Sequence, residues 1–136
     1  MKGVIICGGL GKRLKPITSY MNKHLIPIYN KPMFFYPLSL LFLCGCNDIY
    51  LVGNKSDFNM FKKSIPKKIL KKKLIHFIIQ KKADGIASAI GLTSKYFKEN
   101  EKGIFILGDN FFYGNNLINI IKKSFKKNCS TIFLSH

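Results

Sequence analysis

Residues 4–14, with the sequence VIICGGLGKRL, join a short apolar run to a glycine-rich loop that carries two cations. Glycines allow backbone N–H groups to approach an anion closely, and they turn without the penalty of a Cβ atom. Lys12 and Arg13 add positive charge where phosphate oxygens would lie, and Lys23 could supply a third cation. The stretch therefore predicts a buried strand that leads into a polyphosphate site, such as one for a nucleotide.

Two common phosphate-binding motifs do not fit this loop. A P-loop requires a glycine at the position of Ile6 and a serine or threonine at the position of Arg13. The dinucleotide-binding fingerprint requires a third glycine at the position of Leu14. The remaining pattern, G-G-x-G-x-R-L-x-P, could also form a plain tight turn, but its cations favour anion binding.

Outward from this stretch, apolar runs alternate with helical patterns along the chain. The apolar runs predict strands at residues 4–7, 49–52, 74–79, 103–107 and 131–134. The helical patterns predict helices at residues 32–43, from 56 or 57 to 63, at 86–97, and after 115 or 116. This alternation is typical of an α/β protein with a Rossmann-like, mostly parallel sheet and helices on both faces, here as one domain over residues 1–136.

Three unusual loops follow three of the predicted strands, at residues 8–16, 80–85 and 108–114. Because ligands bind beyond the carboxyl ends of parallel strands, we expect these loops to converge on one site. Asp109 comes directly after a strand and could hold Mg²⁺ through its carboxylate, or could be a turn or cap residue. Gln80 could present its amide to a nucleobase.

The composition is strongly basic, with 23 Lys and Arg against 6 Asp and Glu and a formal net charge of +17. Such a balance attracts anions, including nucleic acid. The abundance of Lys, Ile, Phe and Asn is equally expected from a genome rich in A/T codons. The lysine-rich segment 62–73 is interpreted as a solvated helix end and loop in preference to an anion-binding surface.

The apolar stretches and the cysteines predict where the protein resides in the cell and the redox state of its thiols. The longest apolar stretch, residues 33–46, is broken and shorter than the ~20 residues of a membrane span, so it predicts a buried helix. The N-terminus lacks the apolar core of an export signal. The four cysteines form no C-x-x-C pair and are interpreted, in preference to metal ligands, as free thiols, mostly buried, in a cytoplasmic protein.

The chain resembles the sugar-nucleotide pyrophosphorylases, and among them the glucose-1-phosphate thymidylyltransferases. The segments that carry the resemblance are residues 2–18, 23–28, 31–33, 36–39, 80 with 84–87, and 107–114. They span nearly the whole chain in order and at suitable spacing. The resemblance implies the nucleotidyltransferase fold. Because members of the family are longer, it also implies a truncated, N-terminal, nucleotide-binding half.

The resemblance further implies the transfer of a nucleotidyl group from dTTP to glucose-1-phosphate, in a nucleotide-sugar pathway such as the one to dTDP-rhamnose. Arg13 would stabilise the triphosphate and the leaving pyrophosphate, and Lys23 would neutralise charge near the α-phosphate. Asp109 would ligate Mg²⁺. Gln80 and Gly85 would recognise thymine. The nucleotide would also contact the loop residues Gly8, Gly9, Gly11 and Lys12.

Two departures from the family pattern leave alternatives open. Leu10 and Lys12 stand where the family has small or hydroxyl residues, and the half that carries most sugar contacts and a second metal-binding aspartate has no counterpart here. The chain could be an inactive remnant, a fragment completed by another chain, or an active minimal enzyme, and it could use another nucleoside triphosphate or form a homo-oligomer. A basic module that binds anions or nucleic acid is the alternative of a different class, and a membrane partner is not expected.

Overall fold

A parallel sheet lies at the centre of the protein, whose computed structural model describes residues 1–9, 11–82, 84–127 and 129–133. In chain order the strands are β1 (Lys2–Ile6), β2 (Pro27–Ile28), β3 (Lys31–Pro32), β4 (Asp48–Gly53), β5 (Ile75–Ile79) and β6 (Gly103–Leu107). The α-helices are α1 (Phe35–Leu43), α2 (Phe58–Ser64), α3 (Lys67–Lys71), α4 (Ile86–Thr93) and α5 (Leu117–Ser124). Short 3₁₀ turns lie at Lys12–Leu14, Ile17–Ser19, Lys23–Leu25, Lys55–Asp57 and Ser94–Tyr96.

The main sheet has the strand order β5-β4-β1-β6, and all its neighbouring strands run parallel. The central strand β1 pairs on both sides, so that Gly3 lies opposite Ile49 of β4 and Ile104 of β6. Val4 and Ile5 are fully buried, as a continuous apolar strand requires when helices cover both faces of a sheet. The α/β prediction is confirmed.

Apolar side chains hold helices against both faces of the sheet. On one face, Ile5 belongs to the same buried cluster as Leu41 of α1 and Phe61 of α2. On the other face, Val52 of β4 clusters with Ala89 of α4. Burying one large apolar side chain stabilises the folded state by about 1.5–3 kcal/mol. The two layers of helices therefore hold the sheet in place, including the edge from which the loops emerge.

Two predicted helix boundaries differ from the structure. The helix expected over residues 32–43 begins at Phe35, because Pro32 belongs to β3 and pairs with β2 in a short antiparallel ribbon. The helix expected over residues 86–97 ends at Thr93, where a 3₁₀ turn follows. The hydroxyl of Thr93 donates to a carbonyl of the last helical turn at 2.6 Å, an interaction that competes with regular helix continuation.

The ends of the predicted strand pattern also differ. Residues 131–133 form no strand, and Leu134 lies outside the described residues. Within the described part of the chain, β6 has one strand neighbour, β1, and Phe105 of β6 is 42% exposed. The lysine-rich segment contains α3, which the sequence did not predict and which begins after Pro66.

Two expectations from composition can be compared directly with the structure. Cysteines 7, 44 and 46 are buried, Cys129 is exposed, and all four are free thiols. Across the described ranges, no helix combines the length and the apolar character that crossing a membrane requires.

Candidate active site

The three loops meet at the carboxyl edge of the sheet because backbone hydrogen bonds continue from the strands into them. The N–H group of Cys7 donates to the carbonyl of Val52 at 2.7 Å, and that of Gly108 donates to the carbonyl of Ile6 at 2.9 Å. The N–H group of Gln80 donates to the carbonyl of Gly53, the last residue of β4, at 2.9 Å. The glycine loop, Gln80 and the residues after β6 are therefore neighbours, as the parallel topology predicts.

The glycine loop uses its glycines for conformation and for space. Gly9 has a φ of 101° and Gly11 a φ of 57°, both in the left-handed region that favours glycine. Gly8 leaves space for the side chain of Gln80, since a Cβ atom at this position would lie 2.3 Å from Oε1 of Gln80 in its present rotamer. Leu10, the remaining residue of the loop, lies outside the described residues.

The two loop cations lie on the surface of the protein. Lys12 and Arg13 belong to one 3₁₀ turn, and both side chains are exposed. They are accessible to an anion, but they are not part of the close-packed cluster at the sheet edge. Their roles in triphosphate binding stay predictions.

Lys23 and Asp109 form an ion pair next to the glycine loop. Nζ of Lys23 lies 2.5 Å from Oδ2 of Asp109, and the two side chains are 23% and 33% exposed. Burial raises the pKa of Asp109, but the hydrogen bond and the charge of Lys23 more than offset this and hold the pKa below its ordinary value. The structure thus brings together two residues that are 86 positions apart and that were assigned separate roles.

Gln80 is a buried amide at the same edge, with 4% of its surface exposed. Its Nε2 donates to the carbonyl of Gly85 at 3.3 Å, and Gly85 has a φ of 92°. Since Nε2 is turned towards Gly85, Oε1 is the amide atom directed at the glycine loop. The structure therefore joins the two residues that the resemblance assigned to thymine.

A polar cluster that the sequence analysis missed lies behind Lys23. The side chain of Asn22 accepts from the N–H group and the Nδ1 of His24, and it donates to Asp57 and to the carbonyl of Cys7. Asn22 is the N-cap of the 3₁₀ turn that contains Lys23. An asparagine directly before the predicted lysine was the available signal, because asparagine is a preferred cap residue.

One carboxylate at this edge fits a metal that is shared with substrate phosphates. Mg²⁺ commonly binds one or two carboxylates and completes its octahedron with phosphate oxygens and water. Asp109 is partly exposed and could serve in this way once Lys23 releases it. Among the residues that the structure describes, no group of three or more His, Cys, Asp or Glu side chains could hold a metal without such help.

A separate groove of about 470 Å³ lies away from this cluster, between α1 and residues 112–119. Its lining includes Phe35, Leu43 and Leu117. None of the predicted site residues lines this groove.

His24 makes the stability of the protein sensitive to acid. It is 1% exposed, and burial, together with the charge of Lys23, lowers its pKa from 6.5 to about 4. Between these values the unfolded chain binds a proton that the folded protein does not, so stability is lost as the pH falls. We expect the free energy of unfolding to fall by about 3 kcal/mol from neutral pH to about pH 4, measured by urea unfolding.

The variant His24→Gln is the control for this pH dependence. Glutamine keeps a donor for Asn22 but does not titrate, so the pH dependence of unfolding over the same range should be shallower. Equal pH dependence in the two proteins would contradict the assignment to His24.

A glycine loop with left-handed residues, next to a cation and a carboxylate at the carboxyl edge of a parallel sheet, is the arrangement of a nucleotide-binding α/β protein. A family model described as nucleotidyl transferase matches residues 2–135, and the chain belongs to that family.

Several curated relatives within the family carry the same name. The chain is 38% identical over 124 residues to the glucose-1-phosphate thymidylyltransferase of Neisseria meningitidis serogroup A, covering 91% of this chain and 43% of that protein. It is 35% identical over 123 residues to the enzymes of that name from Xanthomonas campestris and Mycobacterium tuberculosis, covering 41% and 42% of those proteins. The chain thus spans less than half the length of these relatives, in agreement with its resemblance to an N-terminal half.

A solved structure agrees with this assignment of fold. The crystal structure of a protein described as a glucose-1-phosphate thymidylyltransferase from Bacillus anthracis, in complex with sucrose, superposes with a TM-score of 0.79. The two sequences are 32% identical, and the match covers 91% of this chain and 50% of that chain. The nucleotidyltransferase fold is therefore confirmed.

Proposed function

We propose that this chain provides the nucleotide-binding half of a site that joins dTTP to glucose-1-phosphate, forming dTDP-glucose and releasing pyrophosphate. The observation that carries the proposal is the pairing of Lys23 with Asp109 beside the glycine loop, at the edge where parallel sheets bind ligands. The names of the curated relatives support the choice of substrates. The proposal includes Mg²⁺ as the metal and a cytoplasmic pathway of nucleotide-sugar synthesis such as the one to dTDP-rhamnose.

In this reaction an oxygen of the sugar phosphate attacks the α-phosphorus of dTTP, and the bond to pyrophosphate breaks. Such a transfer depends on positioning and on neutralising negative charge. The amides of the glycine loop and Arg13 would hold the triphosphate, and Lys23 would exchange Asp109 for phosphate oxygens. Asp109 would then be able to hold Mg²⁺, which supplies further positive charge to the phosphates when it is bound.

Gln80 predicts a preference between pyrimidines. Its Oε1 is the acceptor atom on the side of the glycine loop, since its Nε2 donates to the carbonyl of Gly85. Thymine has an N–H donor at N3, whereas cytosine has an acceptor there and would leave Oε1 unpaired. We expect dTTP to bind about tenfold more tightly than dCTP, measured by calorimetry with both nucleotides.

The variant Gln80→Leu tests the source of this preference. Leucine removes the acceptor but keeps a side chain of similar length, so the affinities for dTTP and dCTP should become equal within about twofold. A variant that keeps the preference of the wild-type protein would show that Gln80 does not read the base.

The proposed function is tested by calorimetry with dTTP and by a pyrophosphate-release assay with dTTP, glucose-1-phosphate and Mg²⁺. Saturable binding of dTTP supports the nucleotide site, and release of pyrophosphate supports the complete reaction. Absence of both would contradict the proposal. Binding that weakens steeply with salt and shows no preference among nucleotides would instead favour the basic anion-binding module.

The sugar-binding part would come from polypeptide that this chain does not contain. We propose that a further segment or a second chain supplies it, because the relatives carry more than half of their length beyond the match. Adding the unmatched part of the Neisseria meningitidis relative should raise turnover in the same assay. No change on addition, with dTTP binding intact, would contradict completion by such a segment.

A further inference from the structure

We propose that Asn22 is a positioning residue that fixes the backbone of Lys23 and joins it to the glycine loop. The inference rests on the proposed function for its meaning, since it concerns how the cation is presented to a phosphate. The inference is drawn from a set of hydrogen bonds that link three segments through one side-chain amide. These segments are the end of β1, the 3₁₀ turn Lys23–Leu25, and the residues at the start of α2.

The amide of Asn22 has only one workable orientation. Its Oδ1 lies 2.9 Å from the backbone N of His24 and 2.8 Å from Nδ1 of the same residue. Its Nδ2 lies 2.7 Å from Oδ2 of Asp57 and 3.3 Å from the carbonyl oxygen of Cys7. Turning the amide over would set its oxygen against two acceptors and its NH₂ group against a backbone N–H. All four hydrogen bonds of the amide are therefore used, and they specify both its rotamer and its orientation.

This amide controls the residue that follows it in the chain. The carbonyl of Asn22 accepts from the N–H group of Leu25 at 2.9 Å, and the carbonyl of Lys23 accepts from that of Ile26 at 3.1 Å, which closes the turn. With its backbone fixed at this point, Lys23 extends to within 2.5 Å of Asp109. A lysine side chain carries about 2 kcal/mol of rotamer entropy, so a fixed starting point lowers the cost of holding its ammonium group in one place.

The same amide ties the lysine to the loop that would hold the triphosphate. The carbonyl that accepts from Asn22 belongs to Cys7, and Gly8 follows it directly. A shift of the glycine loop would therefore displace the hydrogen bond between Cys7 and Asn22 that holds the 3₁₀ turn. A shift of the turn would displace Cys7, where the loop begins. Asp57 holds the far side of the amide and also accepts from Asn54 at 3.3 Å, so the cluster rests on a third element, the 3₁₀ turn before α2.

A double-mutant cycle separates positioning of Lys23 from a purely structural role. Asn22→Ala should weaken dTTP binding by about tenfold in the wild-type background, and by less than about twofold when Lys23→Ala is already present. If Asn22 only supported the fold, its loss would weaken binding by the same factor in both backgrounds. Equal factors would overturn the proposal.

A spectroscopic measurement on the free protein tests the same point without nucleotide. The ammonium group of Lys23, held by Asp109, should give a resolved nitrogen-proton correlation in NMR, which Asn22→Ala should abolish. Persistence of this signal in Asn22→Ala would overturn the proposal even if dTTP did not bind. Failure of the wild-type protein to bind dTTP would instead count against the proposed function, so the two failures are distinguishable.

A further variant addresses loss of folding. Thr93→Val removes a buried hydroxyl hydrogen bond of 2.6 Å on α4, away from the site, and should lower stability without changing dTTP affinity or the Lys23 signal. Loss of the Lys23 signal in a folded Thr93→Val variant would show that general loss of stability removes it, and would overturn the proposal.

Discussion

Lys23→Ala is expected to lower turnover by about a thousandfold while the protein remains folded. The ammonium group of Lys23 is the cation nearest to Asp109, at 2.5 Å, and it lies where charge must be neutralised during phosphoryl transfer. Removing one preorganised electrostatic group from a site of this kind costs about 100- to 1,000-fold in rate. The measurement is pyrophosphate release at saturating dTTP and glucose-1-phosphate, with circular dichroism to confirm folding.

The fold should survive because water can reach the carboxylate that Lys23 leaves behind. The side chain of Asp109 is 33% exposed, so water can solvate the carboxylate once Lys23 is removed. The loss of the ion pair therefore costs far less stability than it would at a fully buried site. In the variant, the pKa of Asp109 should rise, since the hydrogen bond and charge that lower it are gone.

The control for this prediction is Lys95→Ala. Lys95 is an exposed lysine of the last 3₁₀ turn, and its ammonium group lies 5.2 Å from the ring centroid of Tyr96. Its loss changes the net charge by the same amount as the loss of Lys23, but turnover should be unchanged within about twofold, because it lies outside the candidate site. A similar drop in both variants would show that overall charge, and not the placement of Lys23, drives the reaction.

The pairing of Lys23 with Asp109 also predicts how a divalent cation and the lysine compete. In the free protein Lys23 occupies the carboxylate that Mg²⁺ would use under the proposed function, so nucleotide phosphates would have to draw the lysine away before the metal binds well. The ion pair would then keep the carboxylate of Asp109 neutralised until substrate arrives.

How far the sequence predicted this structure depends on how local each signal is. The strands of the main sheet were predicted because a parallel strand buried on both faces is a continuous apolar run, as at Val4 and Ile5. The meeting of the glycine loop, Gln80 and Asp109 followed from topology, since parallel strands place their carboxyl ends at one edge. The ribbon of β2 and β3 was missed, because two-residue strands with exposed side chains have no hydrophobic period.

The parts of the site that sequence could not supply are those that depend on distant partners. Asn22 bonds to residues 15 positions before it and 35 positions after it, and no spacing rule connects such positions. The direct contact between Lys23 and Asp109 was likewise not predicted, because the resemblance assigned one residue to phosphate and the other to metal. Local patterns thus predicted the elements, whereas the polar contacts needed the folded coordinates.

Gly108→Ala is expected to lower the free energy of unfolding by about 3 kcal/mol. A Cβ atom at this position would lie 2.6 Å from Sγ of Cys7, 2.7 Å from Cδ2 of His24 and 3.2 Å from the carbonyl oxygen of Ile6. None of these groups can move freely. Cys7 is fully buried directly after β1, and His24 donates two hydrogen bonds to the side-chain oxygen of Asn22, one from its backbone N–H and one from Nδ1. The backbone of Gly108 is itself held, because its N–H group donates to Ile6 at 2.9 Å.

The matched control is Gly91→Ala, a glycine-to-alanine change within α4 where an added Cβ would meet no atom within 4 Å. Alanine is a better helix former than glycine, so the free energy of unfolding of this variant should rise by up to about 1 kcal/mol in the same urea-unfolding measurement.

In Gly108→Ala the free energy of unfolding should fall, but its slope against urea concentration should not change. Overpacking alters the folded state, whereas the slope depends on the surface exposed on unfolding. Adding Cys7→Ala should recover part of the loss by removing the nearest atom, but not all of it, because the ring of His24 remains 2.7 Å away. A Gly108→Ala variant as stable as the wild-type protein would mean that the end of β6 can move away from the turn that holds Lys23. The close packing that places Asp109 beside that lysine would then not be enforced by the fold.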